Sequence, residues 1–363
     1  MASDNSAAAS PVNLYVHFPF CRSRCSYCAL YSRAARSVEE RNAYARRIAE
    51  AIPRLNMARP LKTVYFGGGS PALCDLRPVL DALAPCLGRC AGCSESTEFT
   101  VELHPFDVTF DLLATLKDGG INRISMGVQS LDDRILAHMG RGYTFADAEC
   151  AFGKIKKVFG NAGIDLIVGY PGETGAILPQ HERLADWGLC HCSVYALQNE
   201  RMLKNVVDDE TLMNRLANTA EFMQSIGLER YEISNYAVPG FECRHNVAVW
   251  RGEDYIGLGD GACGRIGRYR TRNFWGQELL EELASAVEIV DEKFDEKERC
   301  LFRLRTREGL DATRHPEWQE ALSRFVAEGL LVRREKTGMS EVGIYCLTAR
   351  GAEICDSILS ELV

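Results

Sequence analysis

The chain has 363 residues, about two domains' worth at roughly 100–200 residues each. Lys and Arg number 42 against 50 Asp and Glu, a formal net charge of −8, which argues against nucleic acid as an electrostatic partner. No run approaches the ~18 consecutive apolar residues of a membrane span. There are 15 cysteines. The first ten residues lack the basic and apolar regions of a secretory signal, so a cytoplasmic setting with reduced cysteines is expected, and reduced cysteines in clusters point to metal ligation or redox chemistry.

Residues 1–12 are small and polar and are expected to be disordered. Asn13–Phe18 alternates as a strand, and Ser37–Met57 carries Tyr44, Ile48, Ala51 and Leu55 at helical spacing. Thr63–Phe66 is a short strand running into Gly67-Gly68-Gly69. The alternation continues with a helix over Leu73–Leu87, a strand over Glu98–Leu103, a helix over Asp107–Asp118 and a strand over Ile121–Val128. It goes on through Phe145–Phe159 (helix), Ile164–Gly169 (strand), Ile177–Gly188 (helix), Ser193–Gln198 (strand), Asp209–Ile226 (helix) and Tyr231–Ser234 (strand). Strands and helices alternating this way imply parallel βα units, so residues 13–270 are expected to form an α/β fold, a partial or full TIM-like β/α barrel. The site then belongs at the C-terminal ends of the strands.

From residue 271 the pattern changes. Glu278–Arg305 and Glu317–Glu328 are expected as helices, Leu330–Arg333 and Gly343–Thr348 as a two-stranded ribbon, and Ala352–Leu362 as a last helix. Residues 271–363 therefore suggest a small winged-helix-like α+β domain. Lys293–Val363 holds 12 Lys and Arg against 13 Asp and Glu, too balanced for a DNA-reading module, so a structural or partner-binding role is expected.

The strongest local feature is Cys21-Arg-Ser-Arg-Cys25-Ser-Tyr-Cys28, with spacing C-x3-C-x2-C, directly after the first strand. Three thiolates supply three ligands, whereas a structural zinc site closes with four. A [4Fe–4S] cluster held by three cysteines leaves one iron open to a substrate or cofactor. Arg22 and Arg24 are placed to favour the thiolates.

Tyr15, this loop with Tyr27 before Cys28, and Gly67-Gly68-Gly69-Ser70-Pro71 after the next strand resemble the radical S-adenosylmethionine (SAM) superfamily. The string Leu14-Tyr-Val-His-Phe-Pro-Phe-Cys21 is similar to the oxygen-independent coproporphyrinogen III oxidases and their HemW heme-chaperone relatives. Further matching segments follow in order, around Glu102, Gln129, Gly140-Arg141, Asp165, Ala196 and Tyr255–Gly259, and the closing Gly329–Gly351 stretch resembles the group's C-terminal domain. The resemblance implies that Cys21, Cys25 and Cys28 hold three irons while the fourth chelates SAM, whose reductive cleavage yields a 5′-deoxyadenosyl radical. It further implies a SAM pocket drawn from Gly68, Gly69, Ser70, Glu102, Gln129, Arg141, Asp165 and Ala196, with Tyr15 and Tyr27 packed near the cluster. It assigns no separate catalytic residue.

Cys86, Cys90 and Cys93 repeat the same spacing. They follow a helix and precede a strand, hence the rim opposite the glycine turn, and are read as coincidental. An auxiliary cluster or zinc site, with Cys74 as a further ligand, is the competing reading. Cys190-His-Cys192 is read as packing. The oxidases carry a fourth cysteine two positions after the third, where this chain has Leu30, which favours the chaperone side. The chaperones' H-N-x-x-Y-W motif is matched by His245-Asn246-Val-Ala-Val249-Trp250 with Val249 in place of Tyr. His245 is therefore the candidate axial ligand of bound heme, with Cys243 as a second candidate. Expected partners are heme or a porphyrin, a heme-acceptor protein and an electron donor. The alternatives are porphyrinogen decarboxylation and a radical reaction on heme itself.

Overall fold

A computed structural model describes residues 11–34, 37–55, 60–88, 96–174, 181–197, 207–274, 284–336 and 339–363. Its chain divides into two units. The first runs to Val128 and adds Leu136–Ala162 and Asp254–Glu288, and the second comprises Gln129–Ile135, Gly163–Glu253 and Ile289–Val363.

In the first unit, Val12–Phe18 lies parallel between Leu61–Gly68 and Tyr255–Leu258, followed outward by Glu98–Leu103 and Arg123–Gln129. These strands share one sequence logic. Leu14, Val16 and Phe18 alternate with Asn13, Tyr15 and His17, and Val64 and Phe66 alternate with Thr63, Tyr65 and Gly67. Phe99, Val101, Ile124, Met126 and Val128 extend the apolar rows. Because side chains alternate across a strand, one face is apolar and the other is polar. The apolar face is closed by ring contacts, Phe18 to Phe66 at 5.2 Å and Phe66 to Phe99 at 4.9 Å. The helix Val38–Ala51, capped by Ser37, adds its own buried residues Tyr44, Ala45, Ile48 and Ala51 to the core. Burying each such phenylalanine contributes about 1.5–3 kcal/mol. The polar face carries the row Tyr15, Tyr65 and Thr100 in register, with Glu102 opposite Ser125.

In the second unit, Asn161–Val168 pairs in parallel with His191–Ala196, setting Asp165 opposite Ser193. Asn235–Ala237 and Glu229–Arg230 follow antiparallel. The helix Asp209–Ser225 is capped by the Asp208 carboxylate, which accepts from Thr211 N at 2.8 Å. Leu304, Trp318, Leu322, Phe325, Ile358 and Leu362 form the core of the C-terminal part, beside a three-stranded sheet.

Several expectations are corrected. Tyr231–Ser234 is the connection of a hairpin, not a strand. The buried Glu232 accepts from Ser234 N at 3.1 Å, and a side chain that captures local backbone in this way competes with ladder pairing. The expected helix over Glu278–Arg305 contains the strand Ala284–Ile289, where β-branched Val287 and Ile289 favour extended backbone, and the helix begins only at Glu292 behind the Asp291 cap. Leu73–Leu87 is broken into the helix Arg77–Leu83 flanked by 3-10 turns, with Pro71, Pro78 and Pro85 each opening a new start. The ribbon is three-stranded because Leu310–Asp311 joins it, and the last helix is interrupted at Ile354. His181–Trp187 is a 3-10 segment, while residues 1–10 and 175–180 lie outside the described set. No helix among the described residues is long and apolar enough to cross a membrane.

Candidate functional site

The parallel pairing of Val12–Phe18 with Leu61–Gly68 ends with His17 beside Gly67 and Phe18 beside Gly68. Both chains leave the sheet at that edge. The first continues into the cysteine loop, which is closed by a two-residue parallel pairing of Phe20–Cys21 with Arg33–Ala34 and by Arg33 N donating to Pro19 O at 2.7 Å. Within the loop, Cys28 N donates to Cys25 O at 3.2 Å. Cys21, Cys25 and Cys28 are all half-buried, so a ligand can reach them. Burial pushes the Cys21 and Cys28 thiols above their ordinary range, so the metal-free chain holds them protonated.

The glycine turn lies directly against this loop. Gly69 N donates to Phe18 O and Ser70 N to Phe20 O, each at 2.7 Å. A Cβ at Gly69 would stand 2.4 Å from Phe20 O and 2.9 Å from Cys21 Sγ. Gly68 has φ +111°, and a Cβ there would meet the His17 ring at 2.6 Å. Glycine is thus required twice, by close approach and by backbone conformation. Ser70 Oγ donates to Asp107 Oδ2 at 2.7 Å, and Asp107 accepts from Arg22 at 2.5 Å, which pins the cysteine loop to the turn.

Arg22 is thereby turned toward Asp107, and the expectation that it serves the thiolates is corrected. The arginine at the sulfurs is Arg141, 3.4 Å from Cys25 Sγ and 3.4 Å from Tyr27 Oη. Its other nitrogens donate to Gly127 O at 2.7 Å and to Tyr143 Oη at 2.9 Å, so the fork is fixed from behind. Tyr143 in turn donates to Gly127 O and Val128 O.

Glu102 accepts from Tyr65 Oη at 2.8 Å and from Gly68 N at 3.3 Å, which places its carboxylate at the glycine turn. Tyr15 stacks on Tyr65 and lies 2.9 Å from His17 Nδ1. His17 Nε2 lies 2.8 Å from the Tyr31 carbonyl, which only accepts, so Nε2 carries the proton and Nδ1 accepts from the Tyr15 hydroxyl. Burial lowers the His17 pKa and favours this neutral tautomer. Tyr31 Oη donates to Asp260 Oδ2 at 2.8 Å, and Tyr44 Oη donates to His17 O at 2.7 Å. His17, Tyr31, Tyr44, Asp107, Tyr143 and Asp260 were not expected at the site from sequence. Only His17, in the string before Cys21, carried a local signal.

Cys21, Cys25, Cys28, Tyr15, Tyr27, Gly68, Gly69, Ser70, Glu102 and Arg141 all fall in the first unit, around this edge. Gln129, Asp165, Ala196 and His245 belong to the second unit. Gln129 ends its strand with φ +72°, the one described non-glycine residue in that region, a cost of about 1–3 kcal/mol that persists where surroundings impose it. Asp165 sits mid-strand, and Ala196 is the last residue of its strand. His245 is 5% exposed in the first turn of the helix Arg244–Trp250, and Cys243 caps that helix fully buried.

Of the second cysteine trio, Cys86 is half-buried, whereas Cys90 and Cys93 lie outside the described residues. His191 of Cys190-His-Cys192 lies 2.8 Å from Tyr231 Oη with Cys192 buried beside it, a packing arrangement. Outside the two trios, Cys74, Cys190, Cys192, Cys243, Cys346 and Cys355 are buried, Cys300 is half-buried, and Cys150 and Cys263 are exposed.

Residues 15–185 match the Radical SAM superfamily. A heme chaperone HemW of Synechocystis sp. is 32% identical over 336 residues, covering 85% of this chain and 80% of that protein. The chain belongs to the HemW family of radical SAM proteins. A HemW of Bacillus subtilis is 33% identical over 282 residues, covering 71% of this chain and 72% of that one. Among solved structures, the radical SAM coproporphyrinogen III oxidase HemN of Escherichia coli superposes with a TM-score of 0.79 at 21% identity. It covers 97% of this chain and 90% of that one, and it shows the fold, an α/β radical SAM core with a mostly parallel sheet.

The radical SAM family assignment brings a [4Fe–4S] cluster and SAM as cofactors. The HemW-type chain suits both. Its three thiols are half-buried, and that of Cys21 is held against a glycine turn where one added methyl would fill the space. Among the described residues, no three Cys, His, Asp or Glu side chains converge on a single-ion site. A three-cysteine cluster motif needs no such point, since each thiolate binds a different iron.

Proposed function

We propose that this chain is a heme chaperone that binds heme and hands it to acceptor proteins. Cys21, Cys25 and Cys28 hold the cluster, and Gly68, Gly69, Ser70, Glu102 and Arg141 hold SAM. The reading is carried by the 32%-identical relative named as a heme chaperone, matched over 80% of its length. The exposed Leu30 at the position of the oxidases' fourth cysteine supports it. Glu102 offers a carboxylate to the SAM amino or ribose groups, the glycine turn admits the methionine moiety, and Arg141 holds the cysteine loop and Tyr27 in place. Tyr15 and Tyr27 pack as walls. Gln129, Asp165 and Ala196 join the SAM set, and His245 the heme set, on motif resemblance. The bound cluster and SAM together supply one-electron chemistry at the sulfonium. Residues 13–270 form the cofactor core and 271–363 the closing domain, in a cytoplasmic setting.

The test is anaerobic titration of the reconstituted protein with hemin, followed by mixing with an apo heme protein. A saturable Soret change and transfer of the chromophore are expected. No saturable binding overturns the reading, and decarboxylated product from coproporphyrinogen III with SAM and reductant would install the oxidase in its place.

A further inference from the structure

The segment from Glu102 to Asp107 touches the glycine turn twice. Glu102 accepts from Gly68 N at 3.3 Å, and five residues on Asp107 Oδ2 accepts from Ser70 Oγ at 2.7 Å. Between the two contacts lies the 3-10 turn Pro105–Asp107, in which Asp107 N donates to His104 O at 2.9 Å and Phe106 N to His104 Nδ1 at 3.2 Å. Proline fixes its own φ, so this turn has little backbone freedom. The Asp107 side chain is 3% exposed. Its other oxygen, Oδ1, accepts from Arg22 Nη2 at 2.5 Å and from Arg22 Nε at 3.2 Å. Arg22 lies between Cys21 and Cys25 in the cysteine loop, with its side chain 55% exposed. One buried carboxylate therefore gives one oxygen to the turn and the other to the loop. Burial and the Arg141 charge push the neighbouring His104 imidazole toward its neutral form, which leaves Arg22 as the cation that compensates Asp107. Charge-assisted bonds of this kind hold geometry better than neutral ones.

We propose that Asp107 is a positioning residue for SAM: by tying the glycine turn to the cysteine loop it sets SAM affinity, while cluster loading does not depend on it. Three cysteines on one loop hold a cluster wherever that loop lies. A ligand that spans the loop's cluster and the glycine turn binds well only when the distance between them is held. Asp107 acts through Ser70 and Arg22, which it joins across 48 residues of chain. The Ser70 hydroxyl proton is committed to Asp107, so toward a ligand Ser70 offers its oxygen lone pairs and its backbone. The proposal rests on the placement of SAM at Gly68–Ser70.

The test uses the full-length chain, reconstituted anaerobically. It reads iron and sulfide content, SAM affinity by equilibrium dialysis, and the electron paramagnetic resonance of the reduced cluster with and without SAM. Asp107→Asn is expected to weaken SAM about ten-fold and to blunt the spectral change that SAM induces. Arg22→Gln, at the exposed end of the tie where folding is not at stake, is expected to keep full iron and sulfide while weakening SAM about five-fold, with Arg22→Lys recovering most of the loss. Ser70→Ala combined with Arg22→Gln is expected to fall short of the product of the two single losses by about three-fold, because both act through one carboxylate. Losses that multiply, or SAM affinity within about two-fold of the parent in both Arg22→Gln and Asp107→Asn, overturn the positioning role and leave SAM at the glycine turn. Iron content falling in step with SAM affinity in Arg22→Gln marks a merely structural tie and overturns it as well. No saturable SAM binding by the loaded, unmodified chain overturns both the role and the placement.

Discussion

The glycine turn at Gly67–Ser70 and the half-buried stripe Leu212, Leu216 and Ala220 of the Asp209–Ser225 helix handle empty space in opposite ways. At the turn, backbone, thiol and imidazole stand so close that a single methyl at Gly69 would sit 2.4 Å from a carbonyl oxygen. At the stripe, a cleft of about 1010 Å³ stays open while the same helix buries an arginine. The first region leaves a bound group no freedom of position, as cofactor chemistry requires. The second leaves an open cleft. Tight contact and open surface thus respond to different kinds of change.

The largest effect is expected from the ligands. Replacing Cys21, Cys25 and Cys28 together by Ala should abolish bound iron and sulfide in anaerobically reconstituted protein, and a full complement would move the cluster elsewhere. Next comes the ion pair beneath the stripe. Arg215→Ala leaves the buried Glu173 carboxylate without its cation and should cost about 3–5 kcal/mol in denaturant unfolding. A loss below about 1 kcal/mol would mean the pair does not orient the helix. Gly69→Ala should cost about 1–3 kcal/mol and lower cluster loading as well, because the methyl displaces Phe20 and Cys21. By contrast Ala217→Leu, on the cleft side, should stay within about 0.5 kcal/mol. Equal costs at the two sites would erase the distinction between filled and open.

The smallest effect concerns pH. Burial depresses the His17 pKa from its ordinary 6.5, so the folded chain binds fewer protons there than the unfolded chain. The stability from that difference is present above pH 6.5 and is lost as pH falls toward the folded value. His17→Gln should remove this dependence, so the stability difference between variant and parent should shift in the variant's favour as pH drops from 6.5. A pH-independent difference would show that His17 titrates alike in both states.

Much of the first site was legible because its signals are short-range. The C-x3-C-x2-C loop, the glycine turn and the alternation of strands such as Asn13–Phe18 each lie within a few residues, and strand period alone sorts polar from apolar faces. Arg141 was named from its motif, but its contact with Cys25, 116 residues away, comes only from folding. Arg22 misled for the same reason: adjacency to the cysteines suggested a partner, and the packing gave it Asp107 instead. The return of Tyr255–Leu258 beside the first strand was equally invisible, since parallel pairing carries no local turn signal.

From sequence alone came the α/β class, the three cluster cysteines, the glycine turn and the resemblance to the HemW group. All of these rest on residue type and near spacing. Tertiary structure alone decided that Asp107 couples Ser70 to Arg22, that His17 is neutral with Nε2 protonated, and that the Asp209–Ser225 helix turns its leucines outward. The reason in each case is a partner distant along the chain. A stripe such as Leu212, Leu216 and Ala220 suits a core-facing side, but the buried Glu173 draws Arg215 inward instead.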